Sequence, residues 1–375
     1  MNRRLFLKSL AASSLLLPSL NIAAAKLPQK THYFSARGDL DGRYFISAFD
    51  EQGKQRFDVL LPSRGHAIAV HPLLNHVVAV ARRPETYLIV IDGESGQIIH
   101  HHESDENRHF YGHSVFSPDG RWLYTTENNI ENGQGMIGVR DVMNNYRQVA
   151  EFKSHGIGPH ELDLLSDGET LVVANGGILT RPETGRSKLN LDTMSPSLAY
   201  INANNGSLLE QHKLPANLHQ NSIRHFAINR HDQVCFAMQY QGNASHQPPL
   251  VGLHRRGQPL QLMHAPAGIQ QQMRNYCGSV CKDSSGHWFA VSSPRGNLIT
   301  FWSARDAQYV SSVTVEDGCG IASGQGHGEF FLSSGTGGVF RYFIQQDKLT
   351  PVAPIADLKT RWDNHISRRT ISTNG

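Results

Sequence analysis

Net charge is what this chain has least of. Its 375 residues carry 35 Lys plus Arg against 32 Asp plus Glu, and removing Arg3, Arg4 and Lys8 with the first 25 residues leaves 32 of each sign. No basic field remains to draw in a phosphate backbone, which argues against nucleic acid as a partner. Helical periodicity is nearly absent, which points away from a helical fold. No Gly-x-Ser-x-Gly elbow, phosphate loop or Cys-x-x-Cys-His stretch occurs, so an ordinary serine-hydrolase nucleophile, a bound nucleotide and a covalent haem are not expected. Cysteine is scarce as well, at four residues, and no long apolar run follows the N-terminal one.

What the chain does have is glycine (34), short apolar runs and 21 histidines. Seven times a His or Cys opens a short apolar strand: His66, His113, His160, His225, Cys277, Cys319 and His365, spaced by 47, 47, 65, 52, 42 and 46 residues. The local text repeats too, as Arg-Gly-His66-Ala, Tyr-Gly-His113-Ser, Gly-Pro-His160-Glu and Ile-Arg-His225-Phe. A repeat of this period marks a circular or stacked array, and the unit from His66 holds four strand signals in one blade's length. These are Ala67–Val70, Val77–Val80, Tyr87–Asp92 and Gln97–Ile99. The expected fold is therefore all-β, a seven-bladed β-propeller spanning residues 26–375 as a single domain. The seventh blade is split: Trp362-Asp363-Asn364-His365-Ile366 gives its inner strand, and the N-terminal segment Tyr44–Ala48 through Phe57–Leu60 gives the rest. Such pairing of N- and C-terminal strands closes the ring and leaves few exposed edges.

Residues 1–25 have the pattern of a twin-arginine signal peptide. Asn2-Arg3-Arg4-Leu5-Phe6-Leu7-Lys8 precedes an apolar stretch from Ser9 to Ile22, and Ala23-Ala24-Ala25 offers small residues for cleavage. The stretch is too short and too rich in Ser and Ala for a stable span. The expected location is the periplasm, with no membrane span in the mature chain.

Equivalent positions in a closed propeller converge on one axis, which would place five imidazoles and two thiols around a channel mouth. Imidazole suits iron, copper, zinc and nickel, and thiolate pulls toward copper or zinc. His66, His113, His160, His225 and His365 are thus candidate metal ligands, with Cys277 and Cys319 either further ligands or a disulfide between consecutive blades. Glu161 and Glu127 are candidate supporting carboxylates. The competing reading is structural, each His bonding a neighbouring blade's backbone, but five such groups on one axis would be costly as structure alone. Cys235 and Cys281 read as buried small hydrophobes. His71 reads as a turn residue and His100-His101-His102 as an exposed loop. Asn175-Gly176-Gly177 is either a tight turn or a set of amides for a ligand.

The chain resembles a bacterial family known as domain of unknown function 1513. The likeness lies in the twin-arginine start, Gly-His113-Ser-x-Phe-Ser-Pro-Asp-Gly, Tyr124-Thr125-Thr126-Glu127-Asn128, Gly158-Pro159-His160-Glu161 and Trp362-Asp363-Asn364-His365. That resemblance implies an exported propeller related in look to lactonase-like and surface-layer-like propellers. The family's association with periplasmic iron-uptake proteins of the imelysin type implies a metal role. Three functions remain open at this level. The first is a periplasmic binder of an iron or copper ion, with an uptake or redox protein as its partner. The second is a lactonase- or hydrolase-type enzyme holding a small anionic substrate at the same mouth. The third is a protein-interaction scaffold using the insertion 180–197.

Overall fold

The computed structural model describes residues 29–185, 187–357 and 359–372. Residues 1–25, expected from the sequence to be a signal peptide, lie outside them. Residues 31–369 form one compact unit; of residues 1–30 and 370–375, which group apart from it, those described are strand ends. Seven four-stranded antiparallel sheets are present, and their order along the chain is that of a seven-bladed propeller. The innermost strands are Ile68–Val70, Arg108–Phe116, Pro159–Leu164, Asn221–Ile228, Ser279–Lys282, Gly318–Ser323 and Arg361–Ser372, which number blades one to seven. Each blade then steps outward by short turns, as in Ser117-Pro118-Asp119-Gly120, where Gly120 has φ +72°. Among the described residues no helix is long and apolar enough to cross a membrane.

Burial grades outward within a blade. The second and third strands are apolar on both faces, such as His76–Val80 and Tyr87–Asp92, because each sheet is covered by its neighbours. The fourth strands, such as Ile98–Glu103, are largely exposed. His100, His101 and His102 lie on this outer strand, not on a loop as expected. The cores sit between blades: one cluster joins Phe34 and Ile46 of blade seven to Val78 and Leu88 of blade one and Phe110 of blade two. Fully burying each such side chain contributes about 1.5–3 kcal/mol.

The seventh blade closes the ring, and it takes one strand more from the N-terminus than the sequence indicated. Gln29–Gly38 pairs beside Arg361–Ser372, followed by Tyr44–Asp50 and Gln55–Leu61. Buried Arg37 clamps the closure, donating to Ser47, Thr360 and Asp58 from one guanidinium. The inner strand also reaches forward to blade one, where Ser367 Oγ donates to the Ile68 carbonyl.

Candidate functional site

The seven repeated positions do not all open their strands. His113, His225 and His365 lie inside theirs, His160 and Cys319 are second residues, and His66 and Cys277 precede theirs. The cause is local: the pairing register shifts between Phe110 and Ser114, Pro159 and Glu161, Ile223 and His225, and Gly318 and Ile321. A bulge inserts a residue and re-aims its neighbours, so the side chain at that point can leave the sheet face and turn to the axis. Gly112 shows how tight this is. It has φ +96°, and a Cβ there would sit 2.9 Å from the His66 ring.

His66, His113, His160, His225 and His365 come together. The His66 ring centroid lies 4.6–6.0 Å from those of the other four. His66, His113, His160 and His225 are 1–6% exposed. Their second nitrogens are already held. His66 Nδ1 faces Asp363 Oδ1 at 2.9 Å, and His225 Nδ1 faces Glu161 Oε2 at 3.1 Å. His160 Nδ1 accepts from Arg224 Nη1 at 3.4 Å, which places the ring proton on its Nε2, and His113 Nδ1 lies 3.7 Å from Glu161 Oε1. The Nε2 atoms are left for the interior. Those of His66, His113 and His365 are buried with no partner, and those of His160 and His225 are 3.3 Å apart.

Three overlapping groups have ligand atoms within 4.8 Å of one another: His66–His113–His160, His66–His225–His365 and His113–Glu161–His225. Nitrogens bound at about 2.1 Å to one ion lie about 3.0–4.2 Å apart, so a group spread to the 4.8 Å limit would have to draw inward to bind. The 3.3 Å between His160 and His225 lies between the separations of about 3.0 Å and 3.4 Å for octahedral and tetrahedral bonds of that length.

The electrostatics keep the imidazoles neutral. Burial, then the nearby Arg82 charge, pulls His66 down to about 4. His113, His160, His225 and His365 are held well below the ordinary histidine value, first by burial and then by neighbouring histidines. Burial raises Asp363, but the His66 N–H and the Arg64 charge outweigh it and leave it an ionised carboxylate. Arg64 Nε donates to Asp363 Oδ2 at 2.6 Å. Carboxylate, imidazole and an inward Nε2 is the arrangement that orients metal-binding histidines. Burial pushes Glu161 well above the usual carboxylate range, although the Phe226 amide opposes it.

The other expected participants stand elsewhere. Cys277 and Cys319 are free, so the disulfide is not formed. Cys277 packs with Met273 and Trp302, and Cys319 with Tyr33, Phe331 and Trp362. Burial pushes both thiols up to about 12, so neither is a thiolate ligand as it stands. Glu127 is fully buried within blade two, bonded to Thr125 at 2.6 Å and Arg140 at 3.3 Å, and touches none of the five histidines. It fills space that Gly138 leaves open: a Cβ there would meet Glu127 Oε1 at 2.2 Å. His71 accepts the Leu73 and Leu74 amides as a turn residue. Gly176 and Gly177 spend their amides on Gly158 and Ile157, a turn and not a ligand cradle. Cys235 is a buried hydrophobe as expected.

Asp363, Arg64 and Arg224 were not singled out from the sequence. The signal was adjacent: each lies one or two residues from a repeated histidine. A second group, Glu210–His212–His254, also gathers ligand atoms within 4.8 Å. Its members are already satisfied, His254 by Tyr200 and the Gln258 carbonyl and Glu210 by His212 and the Gly257 amide.

The family model described as Protein of unknown function (DUF1513) matches residues 59–369, which takes in six of the seven inner strands whole, most of the last, and all five histidines. The chain belongs to this family. No curated protein matches it. Among solved structures it is similar to Kuenenia stuttgartiensis Hydrazine Synthase, with 14% identity, a TM-score of 0.60, and coverage of 84% of this chain and 93% of that one. At that identity the likeness concerns the propeller alone. Among the described residues of this DUF1513 chain, the histidine cluster brings together three buried Nε2 atoms without partners.

Proposed function

We propose that this DUF1513 protein binds a transition-metal ion, iron or copper, at the five-histidine centre on the propeller axis. The observation that carries the reading is the set of buried Nε2 atoms of His66, His113 and His365 without partners, beside the 3.3 Å approach of His160 to His225. An unpaired buried polar atom costs about 1–3 kcal/mol, and one ion would satisfy several together. With no thiolate in the set, the donors are imidazole nitrogen and carboxylate oxygen, which suit divalent iron and copper. His66 with Asp363, and His225 with Glu161, supply the carboxylate-backed ligands.

The start Arg3-Arg4-Leu5-Phe6-Leu7-Lys8 supports export to the periplasm, where such a centre would serve metal handling beside an uptake or redox protein. Titration of metal-stripped protein with Cu²⁺ and with Fe²⁺ under anaerobic conditions tests the reading. Saturable binding of one ion that is lost in His113→Ala with His160→Ala supports it. Binding that is weak in the wild type, or indifferent to the double substitution, contradicts it.

A further inference from the structure

We infer that His160 serves the centre as a hydrogen-bond donor, holding a small anion bound to the metal ion, with Arg224 as the residue that positions it. This rests on the metal reading and divides the roles of the five histidines within it. The 3.3 Å between His160 Nε2 and His225 Nε2 suits two ligands of one ion and also an N–H···N hydrogen bond. Arg224 decides between them. Its Nη1 donates to His160 Nδ1 at 3.4 Å, and a neutral imidazole that accepts at Nδ1 carries its proton on Nε2. His225 has the opposite tautomer: its Nδ1 donates to Glu161 Oε2 at 3.1 Å, an oxygen that also accepts the Phe226 amide. The His225 Nε2 lone pair therefore points inward, and the His160 N–H is its donor.

The guanidinium is itself held in place. Arg224 Nε donates to Ser222 Oγ at 2.8 Å, and Ser222 Oγ donates to the Gly176 carbonyl at 2.7 Å. Burial pulls Arg224 down to about 10, which leaves it a cation at neutral pH. His66, His225 and His365 gather ligand atoms within 4.8 Å without His160, and His113 adds another unpartnered Nε2. An ion that takes the His225 lone pair removes the acceptor of the His160 N–H. That buried donor then stands beside the ion with nothing to bond, and an acceptor on the ion itself relieves the cost. The imidazoles bring no negative charge, and Asp363 is already paired with Arg64. An anion is therefore the acceptor that also balances the buried ion. The His66 ring stands 4.6–6.0 Å from the other four, so the anion is one of a few atoms. Arg224 also lines a cavity of about 730 Å³ with Gln239, Gln241 and Tyr276, which gives such an anion its approach. The five histidines then hold the ion together with its anion.

Titration of Cu²⁺-loaded protein with azide, followed by the azide-to-copper charge-transfer band, tests this. Wild type is expected to bind azide saturably at the copper. In His160→Leu the azide dissociation constant should rise about tenfold or more, as loss of a hydrogen bond to a charged group implies. That rise should exceed any change in the copper dissociation constant. Arg224→Leu should weaken azide similarly, because His160 is then free to carry its proton on Nδ1. Arg224→Lys keeps a donor and should restore most of the affinity. Melting curves check that each variant is folded, and the Arg224 pair serves if His160→Leu is not. Copper affinity that falls more than azide affinity in folded His160→Leu makes His160 a ligand and overturns the proposal. Azide affinity equal in wild type and the folded variants, or no azide bound to loaded wild type, overturns it as well. Equal weakening in Arg224→Leu and Arg224→Lys overturns the positioning role of Arg224. All these outcomes leave the metal reading standing. Wild type that binds neither Cu²⁺ nor Fe²⁺ overturns that reading and this proposal together, and if Fe²⁺ alone binds, the same titration on the oxidised iron form decides.

Discussion

Asp363 Oδ1 lies 2.9 Å from His66 Nδ1, joining the last inner strand of the ring to the first histidine of the centre. The strand that closes the ring therefore also brings His66 its orienting carboxylate, and His365 lies on the same strand. Asp363→Ala is expected to lower metal affinity about 10–100-fold, as loss of such a carboxylate does elsewhere. It should also cost about 1–3 kcal/mol in the metal-free protein, because the His66 N–H loses its acceptor. Metal titration together with urea melts of wild type and variant check both effects; unchanged affinity would contradict the orienting role.

Metal-free and metal-bound stability should respond oppositely to loss of a histidine. His365 has a buried Nε2 with no partner. His365→Leu removes that atom, so metal-free melting should rise or stay level, while the melting increase on adding Cu²⁺ or Fe²⁺ should shrink. Differential scanning calorimetry with and without metal reads both. A variant that loses metal-free stability and keeps the full metal-induced increase would assign His365 to packing alone.

Acid should destabilise the metal-free protein. Unfolded histidines take up protons near 6.5, whereas folded His66 waits until about 4 and the other four stay well below 6.5. In that interval the unfolded state holds more protons, so stability is full above about pH 6.5 and falls on acidification. His66 alone contributes on the order of 3 kcal/mol over that range. Glu161 opposes this: its folded value is raised, so its contribution is present at low pH and lost as pH rises above 4.5 and through that raised value. Burial raises Glu127, Asp163 and Asp317 in the same way, but it also lowers His71, His76, His102, His109 and His254, so the histidines outnumber the carboxylates and set the net sign. Melting temperatures of metal-free protein from about pH 7.5 to 4.5 should fall steadily, and a flat profile would contradict neutral burial of the ring. The same shift moves proton competition for metal below the window around pH 6.5 that ordinary histidines imply.

Gly112 fixes the His66 ring by absence. Gly112→Ala introduces a Cβ 2.9 Å from that ring at φ +96°, so it should cost about 1–3 kcal/mol in backbone strain and also weaken metal binding. Gly42→Ala is the control, since it has φ +82° with nothing within 4 Å. It should show strain without loss of metal affinity. Equal metal affinity in the two variants would detach Gly112 from the centre.

The blades were legible because strand length, turn glycines and the 42–65-residue spacing repeat along the chain, and the five histidines because their flanking text repeats with them. Bulges were not legible: a register shift at Phe110–Ser114 depends on pairing with a strand further along, and it decides where His113 points. Cys277 and Cys319 occupy the repeated position without sharing its environment, since their blades turn that side chain into the apolar layer between sheets. Glu127 illustrates the converse. Its place in a repeated strand suggested the centre, whereas its partner Arg140 comes from the next strand of the same blade.

That the five histidines hold a metal ion is tested most directly by elemental analysis of the protein purified from its native host. One equivalent of iron or copper per chain in the wild type is predicted, falling to background in His113→Ala with His160→Ala while the variant remains folded. Wild-type protein with neither metal above background, or a double variant that retains the full equivalent, would contradict it.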